Sequence, residues 1–304
     1  MNNIIQTKIK FSRNLKGFKF ESNIDDIEQQ EVLKLCLKAV NDCGLKCVEL
    51  KDLSKNVIDN LLAREVMERE FVYSSYNQGI ANDKDLIIQI NNESHIEIIA
   101  VGQDVYKAYK TAKRIDKKLC NKLSFEYNDK YGFLNSNIKN IGNGITVKTK
   151  IILPALAKIN AIEKLPKVND KLVFDVVCID RQSGLCEITT KGVLGYTEQQ
   201  VCELVNMYND KLLKLEIDTA KKLAESDKLE IDDGTRRAKA ILKNCSKITL
   251  DEARVLVSKI ILAINAEIEK EIKMEDAINV LNTLKLYEND YVALANEIQK
   301  ILIK

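Results

Sequence analysis

The spacing of apolar positions changes several times along the chain, and each change marks an element. Over Glu31–Val40, Leu33, Cys36, Leu37 and Val40 recur at i, i+3, i+4, i+7, one face of a helix, and Gly44 stops the pattern. LKCVEL (45–50) alternates as a strand. EFVYSSYN (70–77) and KDLIIQI (84–90) read as two further strands with QGIAND as the turn between them, an antiparallel pair. LIIQINNESHIEII (86–99) is apolar at both ends and polar through Asn91–His95. It reads as one strand that either has an exposed middle or delivers polar groups into a cleft. From Gly102 to Phe125, Val105, Ala108, Ala112, Ile115 and Leu119 share one face and lysines occupy the other, which predicts an amphipathic helix.

GFLNSNIKNIGNG (132–144) is rich in residues that tolerate positive φ and reads as a long shaped loop. VKTKIILPAL (147–156) follows as a strand ending near Pro154. KLVFDVVCI and GLCEITT flank DRQS as a hairpin. Thr197 with Gln200 and Thr249 with Glu252 have capping-box spacing, and the chain reads as wholly helical from about Asp227. The pattern predicts an α+β domain over residues 1–225 with a largely antiparallel sheet. An all-helical C-terminal domain over 226–304 follows. Strands followed by a run of helices argue against a doubly wound nucleotide fold, and neither GxGxxG nor GxxxxGK[ST] occurs.

Composition narrows the partners. Charged residues make up 30% of the 304 residues but balance to a formal net charge of +2, so no nucleic acid or membrane partner is expected. The eight cysteines include no CxxC, no metal site is expected, and no apolar run approaches ~18 residues. A soluble, reduced, cytoplasmic protein is the expectation. Only eight of the 47 basic residues are arginines.

Five stretches, in order, resemble the ATP:guanido phosphotransferases, most closely the bacterial protein-arginine kinases. TKIKFSRNL (7–15) is similar to the family's S-x-R-x-R motif, and INNESHIEI (90–98) resembles its N-E-E-D-H segment. GFLNSNIKNIGNG with the following strand resembles its G-[YF]-L-T-x-C-P-T-N-x-G-T-G loop. GLCEITTKGVLGYTE (184–198) resembles its I-S-N stretch, and IDDGTRRAKAIL (231–242) the start of the kinases' helical domain. The resemblance implies a guanido-kinase catalytic fold over residues 1–225, a large, mainly antiparallel sheet flanked by helices with the nucleotide lying across it, and ATP and Mg²⁺ as cofactors if binding or activity is retained. It also implies a C-terminal helical domain used for homodimerisation. The partners it implies are proteins: a kinase activator or Clp-type machinery in quality control and stress regulation.

Position by position, Glu93 matches the family's catalytic glutamate, and Asn91, His95, Asn140, Gly142 and Gly144 stand at retained motif positions. The two S-x-R-x-R arginines become Lys8 and Lys10, which keep charge but lose the planar fork. They read either as nucleotide ligands or as lysines of a charged edge strand. Other motif positions depart: Glu97 replaces an arginine, Asn137 the loop cysteine and Thr146 another arginine, while the last clamp arginine falls near Leu172. The phosphoarginine-reading R-D-x-x-R-A motif has NDYVAL (289–294) as its best match, without either arginine. Arg236 and Arg237 read as a phosphate-reading pair or as a solvated helix face.

Transfer from ATP to a guanidinium needs clamped phosphates and a carboxylate to take a proton. With the clamp arginines gone, the expectation is a pseudoenzyme acting by binding. The alternatives are an active protein-arginine phosphotransferase using Lys8, Lys10 and Glu93, and an ATP-binding sensor without transfer.

Overall fold

The computed structural model describes residues 2–65, 67–73, 77–169 and 172–302. The elements run β1 (Ile4–Arg13), α1 (Asp26–Asp42), β2 (Cys47–Glu49), α2 (Lys55–Ala63), α3 (Arg69–Tyr73), β3 (Gly79–Asp83), β4 (Leu86–Ile90), β5 (Ile96–Gly102) and α4 (Val105–Cys120). The next are β6 (Tyr127–Asn128), β7 (Gly132–Phe133), β8 (Ile145–Ile152), α5 (Pro154–Lys158), β9 (Val168–Asn169), β10 (Leu172–Asp180) and β11 (Leu185–Lys191). Four helices close the chain: α6 (Glu198–Asn244), α7 (Leu250–Asn265), α8 (Met274–Thr283) and α9 (Tyr291–Leu302).

Nine strands form one sheet in the order β2-β3-β4-β5-β1-β8-β11-β10-β9, and each neighbouring pair is antiparallel. Alternation along the strands gives the sheet two faces. Ile9 and Phe11 of β1, Ile98 of β5, Val147 of β8 and Ile188 of β11 are buried with apolar positions of α1, α4 and α6 in the main core. The residues between them, Lys8 and Lys10 among them, point to the other, open face. At one end that face is covered: Leu61, Met67 and Phe71, from α2, the link after it and α3, pack on Ile80, Ile87 and Ile99.

Four expectations need correction here. EFVYSSYN is not a strand: residues 69–73 form α3, and 74–76 lie outside the described residues. Phe71 buried beneath the sheet overrides the strand-like composition. The presumed turn QGIAND instead supplies β3, and Gly79 is there for closeness rather than turning. A Cβ on it would lie 2.9 Å from Leu33 Cδ1 and 3.0 Å from Ile90 Cδ1. LIIQINNESHIEII is a hairpin, β4 and β5 in register from Leu86↔Ala100 to Ile90↔Ile96, with Asn91–His95 as its loop. Finally, β1 is the fifth of nine strands, so Lys8 and Lys10 do not mark a charged edge.

The β10/β11 hairpin forms as expected. Thr197 caps α6 with the reciprocal Gln200 bond, and Thr249 accepts from the Glu252 amide at 3.3 Å. α6 kinks at Asp227 (φ −121°, ψ 25°). Beyond the kink, α6 to α9 bury a core that also takes in Ile5, Ile152 and Leu185, so these helices pack against one end of the sheet. Among the described residues no helix is long and apolar enough to cross a membrane.

Candidate active site

The open face of the central strands lines a hollow of about 340 Å³. Register sets its contents. Ser12 faces Glu97 across β1/β5, Lys10 faces Thr146 across β1/β8, Lys8 faces Lys148, and Lys148 faces Thr189 across β8/β11. Lys10 therefore lies diagonal to Glu97, within reach of a long side chain. Its Nζ sits 2.9 Å from Glu97 Oε1 and 3.0 Å from Glu93 Oε2. Glu97 is buried, and its other oxygen accepts from Asn92 Nδ2 at 2.8 Å. Burial disfavours the Lys10 charge, but Glu97 and Glu93 overcome that and hold its pKa well above the ordinary lysine value. Lys10 in turn holds the Glu93 carboxyl below its ordinary value, with Lys148 and Lys139 adding to it. Glu97, which reverses the charge where the resemblance implies an arginine, is thus paired with Lys10.

The retained residues of the hairpin loop are committed to structure. Asn91 takes φ +58°, a left-handed conformation asparagine tolerates better than most residues. Its Nδ2 donates to the carbonyls of Gln29 (2.9 Å) and Asn77 (2.6 Å). His95 is fully buried. Its Nδ1 accepts from the Leu15 amide at 2.9 Å, which leaves Nε2–H to donate to the Lys19 carbonyl at 2.8 Å. Burial lowers its pKa, so the ring is the neutral tautomer those bonds require. Of the loop, Glu93 alone sends its charge into the hollow.

The 132–144 loop is shaped around Arg13, a residue passed over by the motif comparison. Arg13 is completely buried. Nε and Nη2 donate to Asp116 Oδ1 and Oδ2 at 3.0 and 3.2 Å, and Nη1 donates to the carbonyls of Ser12 and Asn143 at 3.0 Å each. The guanidinium lies 3.8 Å from the centre of the Phe133 ring. Gly144 (φ +67°) packs directly on it: a Cβ there would fall 2.4 Å from Arg13 Nη1 and 2.7 Å from the Ser12 carbonyl. Gly144→Ala should therefore lower stability by about 2 kcal/mol, read as a drop in urea midpoint at constant m. Gly142 (φ +107°) lies against Leu194, and its amide and carbonyl bridge to Phe133. Asn140 is buried and accepts from Thr146 Oγ1 at 3.4 Å. Asn137 caps a 3-10 turn, accepting from the Lys139 amide at 3.1 Å. Asn137, Asn140 and Thr146 all line the hollow.

Other expected positions lie elsewhere. Leu172 is buried in the main core, so an arginine role cannot fall there. Arg236 and Arg237 are exposed and pair one turn back with Asp232 and Asp233 at 2.9 and 2.8 Å. The site also contains residues no motif named: Lys148 pairs with Glu68 (3.6 Å) and Glu187 (3.8 Å), Lys191 with Asp175 (2.8 Å), and Lys150 with Glu65. The alternation of VKTKI and CEITTK was the available signal, since it puts these charges on the face of Lys8 and Lys10.

A triphosphate needs cations free to meet it. Here Lys10, Lys148, Lys150 and Lys191 each have a carboxylate partner. Lys8 donates to the Glu65 carbonyl, and burial holds its pKa down at about 8. Lys8 and Lys139 are the lining lysines without an ion pair among the described residues. As arranged, the side chains do not fit a triphosphate clamp. Among the described residues no group of three or more His, Cys, Asp or Glu is placed to hold a metal ion.

Comparison with known proteins agrees with this architecture. The sequence model of the ATP:guanido phosphotransferase C-terminal catalytic domain matches residues 27–219. The protein-arginine kinase of Clostridium acetobutylicum is 24% identical over 294 residues, covering 91% of this chain and 86% of the relative. That of Halothermothrix orenii is 25% identical over 274 residues, covering 86% and 78%. Among solved structures, the duplicated taurocyamine kinase of Schistosoma mansoni with bound transition state analog components superposes with TM-score 0.62 at 20% identity, over 70% of this chain and 33% of that one. Lombricine kinase gives 0.61 at 18% identity, over 70% and 66%. With a family match spanning more than half its length, this chain belongs to the ATP:guanido phosphotransferase family.

Proposed function

We propose that the chain is a catalytically impaired member of its family, a pseudoenzyme that acts by binding rather than by phosphorylating arginine. The observation that carries the reading is Lys10 held between Glu93 and Glu97. Transfer to a guanidinium requires cations free to stabilise charge on the moving phosphoryl group and a carboxylate free to position the nucleophile and take its proton. One three-membered ion cluster occupies both. Restoring either function means separating a largely buried lysine from two carboxylates, and removing one charge-stabilising donor elsewhere typically costs about 100- to 1000-fold in rate.

The test is direct. The purified chain is incubated with Mg-ATP and a mixed protein substrate, and phosphoarginine is measured by mass spectrometry. The expected result is no phosphoarginine above a heat-inactivated control, and no difference between the wild type and Glu93→Gln. A second reading, a working protein-arginine phosphotransferase, draws on Glu93 itself: its side chain is 55% exposed and its carboxyl is held below its ordinary pKa, a charged base open to the hollow. Phosphoarginine that disappears in Glu93→Gln would establish that reading and sink the first. A Mg-ATP thermal shift without product would mark a nucleotide sensor.

A further inference from the structure

The open face continues past Lys10 toward the C-terminal helices, and Glu65 stands in the way. It follows α2 and holds φ +53°, a left-handed backbone costly for a residue with a side chain. Its carbonyl accepts from Lys8 Nζ of β1. Its carboxylate pairs with Lys150 of β8 and with Lys285 of the 3-10 turn Leu284–Tyr287. Three ammonium groups, two from the sheet and one from the C-terminal helical part, thus converge on one loop residue. Burial alone would raise the Glu65 pKa, but Lys150 and Lys285 reverse this and draw it down to about 2. Behind it lies a hollow of about 1040 Å³ lined by Lys8, Lys148, Lys150 and Lys285 together with carboxylates that include Asp59, Glu68, Glu187 and Glu288.

We infer that Lys8, Lys150 and Lys285 form an anion site suited to a phosphate chain, and that the Glu65 segment fills it as a built-in plug. Three ammonium groups offer nine N–H donors and three charges. A single carboxylate satisfies two of the three, and a backbone carbonyl takes the last. A polyphosphate, with more charge and more oxygens, can satisfy all three at once. Lys285 belongs to the C-terminal part, so exchanging plug for phosphate also alters how that part is tied to the sheet. The site holds whether or not any phosphotransfer survives. It differs from the Lys10–Glu93–Glu97 cluster, which the plug does not touch. The same phosphate chain could arrive on a nucleotide or as free polyphosphate.

Calorimetric titration of the full chain with tripolyphosphate and, separately, with ATP tests the plug. If it closes about nine-tenths of the molecules, Glu65→Gln should bind about tenfold tighter than wild type, because apparent affinity scales with the open fraction. An equal gain for both ligands assigns the site to the phosphate chain alone, and a gain for ATP only assigns it to nucleotide. Glu68→Gln removes a nearby carboxylate outside the plug and should shift affinity less than about twofold. No gain in Glu65→Gln for either ligand, or an equal gain in Glu68→Gln, overturns the proposal. Hydrogen exchange on the wild type gives a readout independent of the variant's folding. Saturating tripolyphosphate should speed exchange over residues 60–65 as the plug leaves, and slowed or unchanged exchange there overturns it. Arginine phosphorylation enters none of these readouts, so the outcome is separable from that of the transfer assay.

Discussion

Asp116→Ala is expected to destabilise the chain by about 3–5 kcal/mol, read as a lower urea midpoint with little change in m. The reason is what it leaves behind. Arg13 and Asp116 are both essentially inaccessible to solvent, and the guanidinium uses Asp116 for two of its N–H groups. Removing the carboxylate strands a full positive charge in the core. Its remaining anionic neighbour, Glu198, lies 3.7 Å from Nη2 and is already bound to Lys113 at 2.8 Å. Water cannot substitute without opening the packing of Phe11 and Phe133 against the guanidinium. Asp116→Asn keeps an acceptor but loses the charge, and should fall between wild type and alanine. A loss below about 1 kcal/mol in the alanine variant would mean that Glu198 takes over the pair. The effect should reach the candidate site, because Arg13 also anchors Asn143 and packs on Gly144 of the loop that walls it.

The second large effect is a pH dependence set by Glu216. This residue of α6 is fully buried, and its oxygens accept from the Ala155 and Leu156 amides at 2.8 and 3.0 Å, with Asn265 Nδ2 at 3.5 Å. It joins the Pro154 turn after β8 to α6 and α7. Burial outweighs these bonds and pushes its pKa from an ordinary 4.5 to about 7. The folded state thus binds the proton more tightly than the unfolded state. Unfolding free energy must fall as pH rises between 4.5 and about 7, and above that window the charged group costs the fold ~3 kcal/mol. Glu216→Gln removes the titration, and its amide can donate to the Asn265 Oδ1 that lacks a partner. The stability difference between wild type and Glu216→Gln should therefore shift by ~3 kcal/mol in favour of the variant between pH 4 and pH 8. Groups common to both proteins cancel in that difference. Parallel profiles across this range would show that Glu216 titrates alike in the folded and unfolded states, which would overturn the raised pKa.

Much of this protein was legible before its structure. Helical and alternating periods located α1, α4, β8, the β10/β11 hairpin and the helical run after Thr197, because each buries one face and its pattern is local. Five weak motifs in order gave the family, since spacing between segments survives where single residues drift. Local patterns failed where a residue's reason lay in a distant neighbour. Gly79 looked like a turn, but it is small because Leu33 of α1 lies against it. Phe71 looked like strand composition, but it anchors a helix under β4 and β5.

The candidate site divides the same way. By resemblance to the family's motifs, the sequence carries lysine, glutamate or threonine where arginines are implied, and keeps Glu93. It could not show that Lys10 and Glu97, 87 positions apart, would neutralise each other, because that follows from the pairing of β1 with β5. Nor could it show Glu65 meeting Lys8, Lys150 and Lys285. Charge identity is written in the chain, but whether a charge is free or spent depends on distances of a few ångströms across the sheet. Only the tertiary structure sets those distances, since the interaction of two charges varies steeply with separation and burial.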